Sequence, residues 1–189
     1  MCELMALSFS QPLSTDFAIG PFGGRGADNP HGWGLAWYPD HSLALVKEPV
    51  SWQASPHTAF LQTYPGLRSR LYLAHVRHKT TGGEPTHADT HPFARELRGR
   101  DYCFAHNGTL ESVFNKLRLG RFRPVGATDS EHFFCHLLEE LDQASACLTT
   151  PASWRWLHGQ LLAANRLGQL NCLLTDGERL FCYHDAAGY

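Results

Sequence analysis

Thr128-Asp129-Ser130-Glu131 opens a segment in which Phe133, Phe134, Leu137, Leu138 and Leu141 recur at helical spacing. A threonine at the N-cap and a glutamate three residues later can satisfy each other's backbone donors, so these residues predict a capping box. The helix that follows has one apolar face and must bury it against another layer. Thr150-Pro151 predicts a second helix through Leu157, Leu161 and Leu162, ended by Gly168. The rest of the chain reads mostly as strands. That order limits the architecture to a mixed sheet with helices on its faces.

The strands follow from alternation and from turn residues. Cys2 to Ser8 reads as a short strand, and Gly20 to Pro30, dense in Gly, Pro and Asn, as a loop. Gly32 to Tyr38 and Leu43 to Lys47 predict a hairpin across Pro39-Asp40-His41-Ser42. Glycines at 32 and 34 in an aromatic strand mark a place where something approaches the backbone closely. Ser55-Pro56 predicts the start of a short helix that stops before Pro65. Leu71 to Arg77 and Tyr102 to His106 are further strands, the second ending at Asn107-Gly108. Asn171 to Thr175 and Arg179 to His184 form a hairpin across Asp176-Gly177.

The 189 residues fit one domain, taken as 1–189, and 43% hydrophobic against 18% charged residues is enough for a substantial core. With 16 basic and 18 acidic side chains and no Lys/Arg block, nothing calls for nucleic acid. No apolar run reaches the ~18 residues of a membrane span, and no basic segment precedes an apolar one at the start. The expectation is a cytoplasmic protein, with its 6 cysteines reduced.

The polar residues that carry chemistry stand at strand ends and one helix start. Cys2 follows the initiator methionine, and removal of Met1 would give one residue both a thiol and an α-amine. Such an amine titrates near ~8, so it can serve as a base at neutral pH. Asn107 and the Gly108 N–H can hold an oxyanion. Arg77 can pair a carboxylate through two parallel hydrogen bonds, and Asp129 can accept from an ammonium. The loop from Thr80 to Pro92, with Thr80 and His91, is rich in groups that hydrogen-bond a ligand. Each has a plainer reading: Cys2 as a small core residue, Arg77 as a surface ion pair, Asn107-Gly108 as a type I′ turn, Asp129 as a helix-dipole partner. Together they match the hydrolysis of an amide bearing an α-carboxylate and an α-ammonium, which describes glutamine.

Met1-Cys2-Glu3-Leu4, Gly32-Trp33-Gly34, Ala74-His75-Val76-Arg77, Thr90-His91-Pro92-Phe93, Ala105-His106-Asn107-Gly108 and Thr128-Asp129-Ser130-Glu131 stand in one order. In that order the chain resembles the class II glutamine amidotransferases, which are N-terminal-nucleophile hydrolases, and among them the stand-alone bacterial branch. The resemblance runs from Cys2 to about Tyr183. It implies an α+β, four-layer αββα sandwich. It implies Cys2 as nucleophile with its own amine as base, Asn107 and Gly108 as oxyanion hole, Arg77 and Asp129 as glutamine anchors, and His91 in the pocket wall. It implies no cofactor and no metal. Where the synthase-type members have Trp-Ala-Thr-His after the arginine, this chain has His78-Lys79-Thr80-Thr81, so pocket closure is expected to differ. Family members usually continue for several more strands beyond the point matching Tyr189, so the expectation is either a short variant or a fragment whose second sheet is incomplete.

Glutamine or a γ-glutamyl small molecule is therefore the expected substrate, with ammonia passing to a partner protein or an amine released directly. Two other readings remain open on sequence alone. His87, Asp89 and His91 share one loop and His75, His78 and His106 lie near strand ends, as a metal-dependent hydrolase would need. A non-catalytic glutamine-binding relative is the other.

Overall fold

In a computed structural model, the described residues are 2–79 and 83–185. In chain order they form β1 (Glu3–Ser14), α1 (Asp16–Gly24), β2 (Trp33–Trp37), β3 (Ala44–Glu48), α2 (Pro56–Thr63), β4 (Arg68–Val76), β5 (Phe93–Leu97), β6 (Arg100–Thr109), α3 (Val113–Lys116), α4 (Asp129–Gln143), α5 (Pro151–Asn165), β7 (Gln169–Thr175) and β8 (Leu180–Tyr183). The strands make two four-stranded sheets, ordered β1-β4-β2-β3 and β5-β6-β7-β8, antiparallel throughout.

Three apolar clusters stack these elements into four layers. Ile19 and Phe22 of α1, Leu61 of α2 and Trp52 pack on Trp33, Leu35, Trp37, Tyr72, Ala74 and Val76 of the first sheet. Phe133, Phe134, Leu137, Leu138 and Leu141 of α4, with Leu157 and Leu161 of α5, cover the second sheet through Phe93, Phe104, Leu170 and Leu174. Between the sheets lie smaller residues: Ala36, Leu73, Cys103, Ala105 and Leu173. Period-2 alternation explains the sorting, because Leu35 and Trp37 point to the helices while Ala36 points to the other sheet. This helix–sheet–sheet–helix order is the αββα sandwich expected from the resemblance.

Local departures have identifiable causes. The stretch 20–30, expected as a loop, contains the end of α1 and a 3-10 turn, Arg25–Ala27. Here packing overrides propensity: a Cβ on Gly23 would overlap the Trp52 indole, so the glycine permits the contact that anchors the helix. The first strand runs on to Ser14, with a register shift between Ser8 and Leu13 that accommodates Pro12. β5 is a strand that the sequence reading does not predict. Its hairpin turn places Arg98 and Gly99 at φ 53° and 74°, a conformation usually signalled by Asn-Gly.

Asn107-Gly108 is no turn. Both residues lie inside β6, opposite Asn171 and Leu170 of β7. The Thr128 hydroxyl oxygen accepts from the Glu131 N–H, half of the expected capping box. The Glu131 carboxylate instead accepts from the Val125 and Gly126 N–H groups and pairs with Arg95, fastening the preceding loop to α4. Thr150 and Ser153 form a complete box on α5.

Candidate active site

Cys2 stands one residue before β1, and β1 pairs with β4 so that Glu3 faces Val76. The chain leaving β4, Arg77-His78-Lys79, therefore passes beside the cysteine. The Cys2 thiol lies between the two backbone groups of His78: the N–H donates to Sγ at 3.2 Å, and Sγ–H donates to the carbonyl oxygen at 3.4 Å. Burial raises the thiol pKa, while the His78 N–H and the positive charge of Arg77 act in the opposite direction.

The second sheet meets the cysteine through alternation in β6. Asn107 Nδ2 donates to the Cys2 carbonyl oxygen at 2.9 Å, linking one sheet to the other. One residue earlier, His106 points the opposite way, its Nδ1 2.9 Å from the Ser130 hydroxyl on α4 and its Nε2 3.0 Å from the Gln169 carbonyl. Gly108 follows with φ 147°, and a Cβ there would overlap the Gln169 carbonyl. Only glycine lets the backbone run this close to β7 at the cavity wall.

A cavity of about 430 Å³ opens over the thiol, lined by Cys2, Arg77, His91, Gly108 and Asp129 among others. Arg77 is 8% exposed. Its backbone N–H is fixed on the Gly32 carbonyl at 2.7 Å, and its Nη1 has no protein partner among the described residues. A buried guanidinium nitrogen without an acceptor is suited to receive a carboxylate. Asp129 begins α4, and its Oδ2 accepts from the Leu110 N–H at 2.6 Å, which holds the carboxylate at the cavity edge.

His91 is buried beneath the cavity, stacked on His75 with ring centroids 4.4 Å apart. Burial first, and neighbouring cationic groups second, hold both rings neutral: His75 titrates at about 3 and His91 well below its ordinary value. A Cβ on Gly34 would overlap the His91 carbonyl and Pro92 Cδ, so the close approach read from the glycine-aromatic strand is that of this loop.

Cys2, Asn107, Gly108, Arg77, His91 and Asp129 thus gather at one end of the sandwich, drawn from both sheets and from α4. Thr80 lies outside the described residues. Among the described residues no three His, Cys, Asp or Glu side chains come together as a metal-binding group. Asp89, one of the loop residues considered for that role, accepts from the Thr86 hydroxyl and the Ala127 N–H. His78, read in sequence as a departure from the synthase pattern and as a candidate metal ligand, instead meets Cys2 through its backbone, while His31 was not singled out, because it follows a glycine-rich loop with no motif around it.

Residues 1–187 match the family of class II glutamine amidotransferases. The chain is 36% identical over 190 residues to YafJ of Escherichia coli, whose name assigns it provisionally to the glutamine amidotransferases; the match covers 97% of this chain and 72% of YafJ. It is 35% identical over 188 residues to an uncharacterised protein of Methanocaldococcus jannaschii, covering 100% of this chain and 52% of the relative. The chain therefore spans about half the length of the archaeal relative. A crystal structure of a predicted glutamine amidotransferase from Pseudomonas aeruginosa superposes with a TM-score of 0.72 at 28% identity, covering 98% of this chain and 73% of that one. Glutamine phosphoribosylpyrophosphate amidotransferase from Bacillus subtilis shares the fold, with a TM-score of 0.64 at 15% identity over 98% of this chain and 37% of its own. This chain belongs to the class II glutamine amidotransferases.

Proposed function

We propose that the protein hydrolyses the side-chain amide of glutamine, or of a γ-glutamyl compound, with Cys2 as nucleophile. The observation that carries this reading is the convergence on one cavity of a backbone-held thiol, a buried arginine with an unpartnered nitrogen, and a carboxylate at a helix start. Removal of Met1 frees the Cys2 α-amine, which takes the thiol proton as sulfur attacks the amide carbon. Negative charge develops on the amide oxygen. The Asn107 side-chain N–H and the Gly108 backbone N–H receive it; an amide nitrogen has two N–H groups, so the bond to the Cys2 carbonyl leaves one.

Collapse of the tetrahedral species breaks the C–N bond. The proton held by the amine passes to the leaving nitrogen, and a γ-glutamyl thioester with ammonia or a free amine results. Water then attacks the thioester, giving the γ-carboxylate and restoring the thiol. Arg77 pairs the substrate α-carboxylate and Asp129 the α-ammonium, with His91 in the pocket wall. The ammonia goes to a separate acceptor protein, or the enzyme acts as an amidase in its own right.

The test is a glutamine-analogue electrophile with intact-mass and peptide analysis. The expected result is an N-terminus beginning at Cys2, one adduct on the N-terminal peptide, and ammonia release from glutamine or a γ-glutamyl amide that stops in Cys2→Ala. Full activity in protein that retains Met1 would sink the mechanism.

A further inference from the structure

Arg77-His78-Lys79, which holds the thiol, is itself held by His31. The His31 backbone N–H donates to the Arg77 carbonyl at 3.1 Å, continuing the pairing of β2 with β4 past the end of the sheet. One step further the ladder has no backbone partner to offer, and the side chain replaces it: His31 Nδ1 accepts from the Lys79 N–H at 3.1 Å. The His31 ring also meets the His78 ring edge-on, centroids 5.3 Å apart, while His78 Nδ1 lies 3.0 Å from the Asp28 carbonyl. His31 thus brackets the residue whose N–H and C=O both contact Cys2.

We propose that His31 is a positioning residue, whose unprotonated ring fixes His78 against the Cys2 thiol and so sets the fraction of reactive thiolate. An imidazole accepting at Nδ1 carries its proton on Nε2, and protonation at Nδ1 sets two donors against each other. The Lys79 contact is then lost, and the loop is free to withdraw the His78 N–H from sulfur. The groups facing His31 are His78, Arg77 and Lys79, cations or potential cations, with the Asp28 backbone carbonyl behind His78. Partial burial and these charges lower the His31 pKa, so the accepting form prevails at neutral pH. Acidification switches the clamp off.

The proposal rests on Cys2 as a reactive thiol, so its test reads the thiol without substrate: the alkylation rate of the N-terminal peptide by iodoacetamide between pH 5 and 9. Peptide mapping separates Cys2 from the exposed Cys147 and Cys182. His31→Ala should move the Cys2 titration midpoint upward by about one unit, slowing alkylation at neutral pH about tenfold. His31→Asn, whose side-chain oxygen accepts without titrating, should restore the wild-type midpoint. A merely structural role would lower the melting temperature of His31→Ala and leave the midpoint unmoved, and that result overturns the proposal.

In wild-type protein, protection of the Lys79 amide against hydrogen exchange should fall on acidification with the midpoint of the His31 ring titration, followed by NMR. An amide indifferent to that titration also overturns it, and this readout decides the matter if His31→Ala does not fold. Failure of glutamine turnover with the alkylation shift intact would instead count against the proposed substrate.

Discussion

Asn107 Nδ2 and the Cys2 carbonyl oxygen, 2.9 Å apart, join the two sheets at the point where the proposed chemistry takes place. The bond fixes the amide relative to the nucleophile before any substrate arrives, which is what an oxyanion donor needs in order to act without reorganising. Asn107→Ala should therefore reduce kcat by ~10²–10³, the effect of losing one such donor, with KM changed little. Steady-state kinetics with glutamine and a γ-glutamyl amide would check this. A drop confined to KM would place Asn107 in ground-state binding instead.

Arg77 gives a prediction on binding rather than rate. Its guanidinium is almost wholly buried and leaves Nη1 without a protein acceptor among the described residues. Arg77→Lys keeps the charge and loses the planar two-pronged donor, so glutamine affinity should fall by ~1.5–3 kcal/mol. Titration calorimetry on a Cys2→Ala background measures it directly. Unchanged affinity would move the carboxylate elsewhere.

Glycines at two places make opposite predictions. Gly34→Ala would drive a Cβ into the His91 carbonyl and Pro92 Cδ, rigid atoms that cannot step aside. A cost of about 3 kcal/mol is expected, at the upper end for overpacking, with displacement of the His91 loop under the cavity. Gly24, at the end of α1, has ordinary helical φ of −55° and open space around the missing Cβ. Gly24→Ala should stabilise by ~0.4–1 kcal/mol through the unfolded chain. Chemical denaturation of both variants tests the contrast.

What was legible in sequence follows from how local each determinant is. The helix of Phe133, Phe134, Leu137 and Leu141 and the hairpin around Asp176-Gly177 carry their own caps, periodicity and turn residues, and both form. The site residues were legible as strand ends carrying polar side chains, and alternation in β6 explains why Asn107 faces Cys2 while His106 faces Ser130. What was hidden depends on distant partners. α1 exists because Trp52 packs on glycines that locally favour a loop. The extended Asn107-Gly108 is imposed by pairing with β7, and Glu131 leaves its expected cap for a loop 5 or 6 residues back and for Arg95. His31 acts on Lys79 across 48 residues, a relationship no local pattern encodes.

The buried histidines under the cavity make stability depend on acid. His75 is fully buried and its ring stacks on that of His91, and among the described residues the ring nitrogens of both lack a hydrogen bond of normal geometry. In the unfolded chain a histidine takes up a proton near pH ~6.5, whereas folded His75 stays neutral down to about 3. The unfolded state therefore binds more protons throughout that window, and stability is full above pH ~6.5 and falls as pH drops. Between pH ~6.5 and ~4.5, two units at ~1.4 kcal/mol each give a loss of about 3 kcal/mol from His75 alone. His91, shifted in the same direction by the same burial, adds to it. Against a typical stability of ~5–15 kcal/mol this is a large part of the whole. Urea unfolding at a series of pH values should show the decline. His75→Leu should flatten it by about one proton's worth, and a wild-type stability constant from pH 7 to 5 would mean that the two rings are not held neutral.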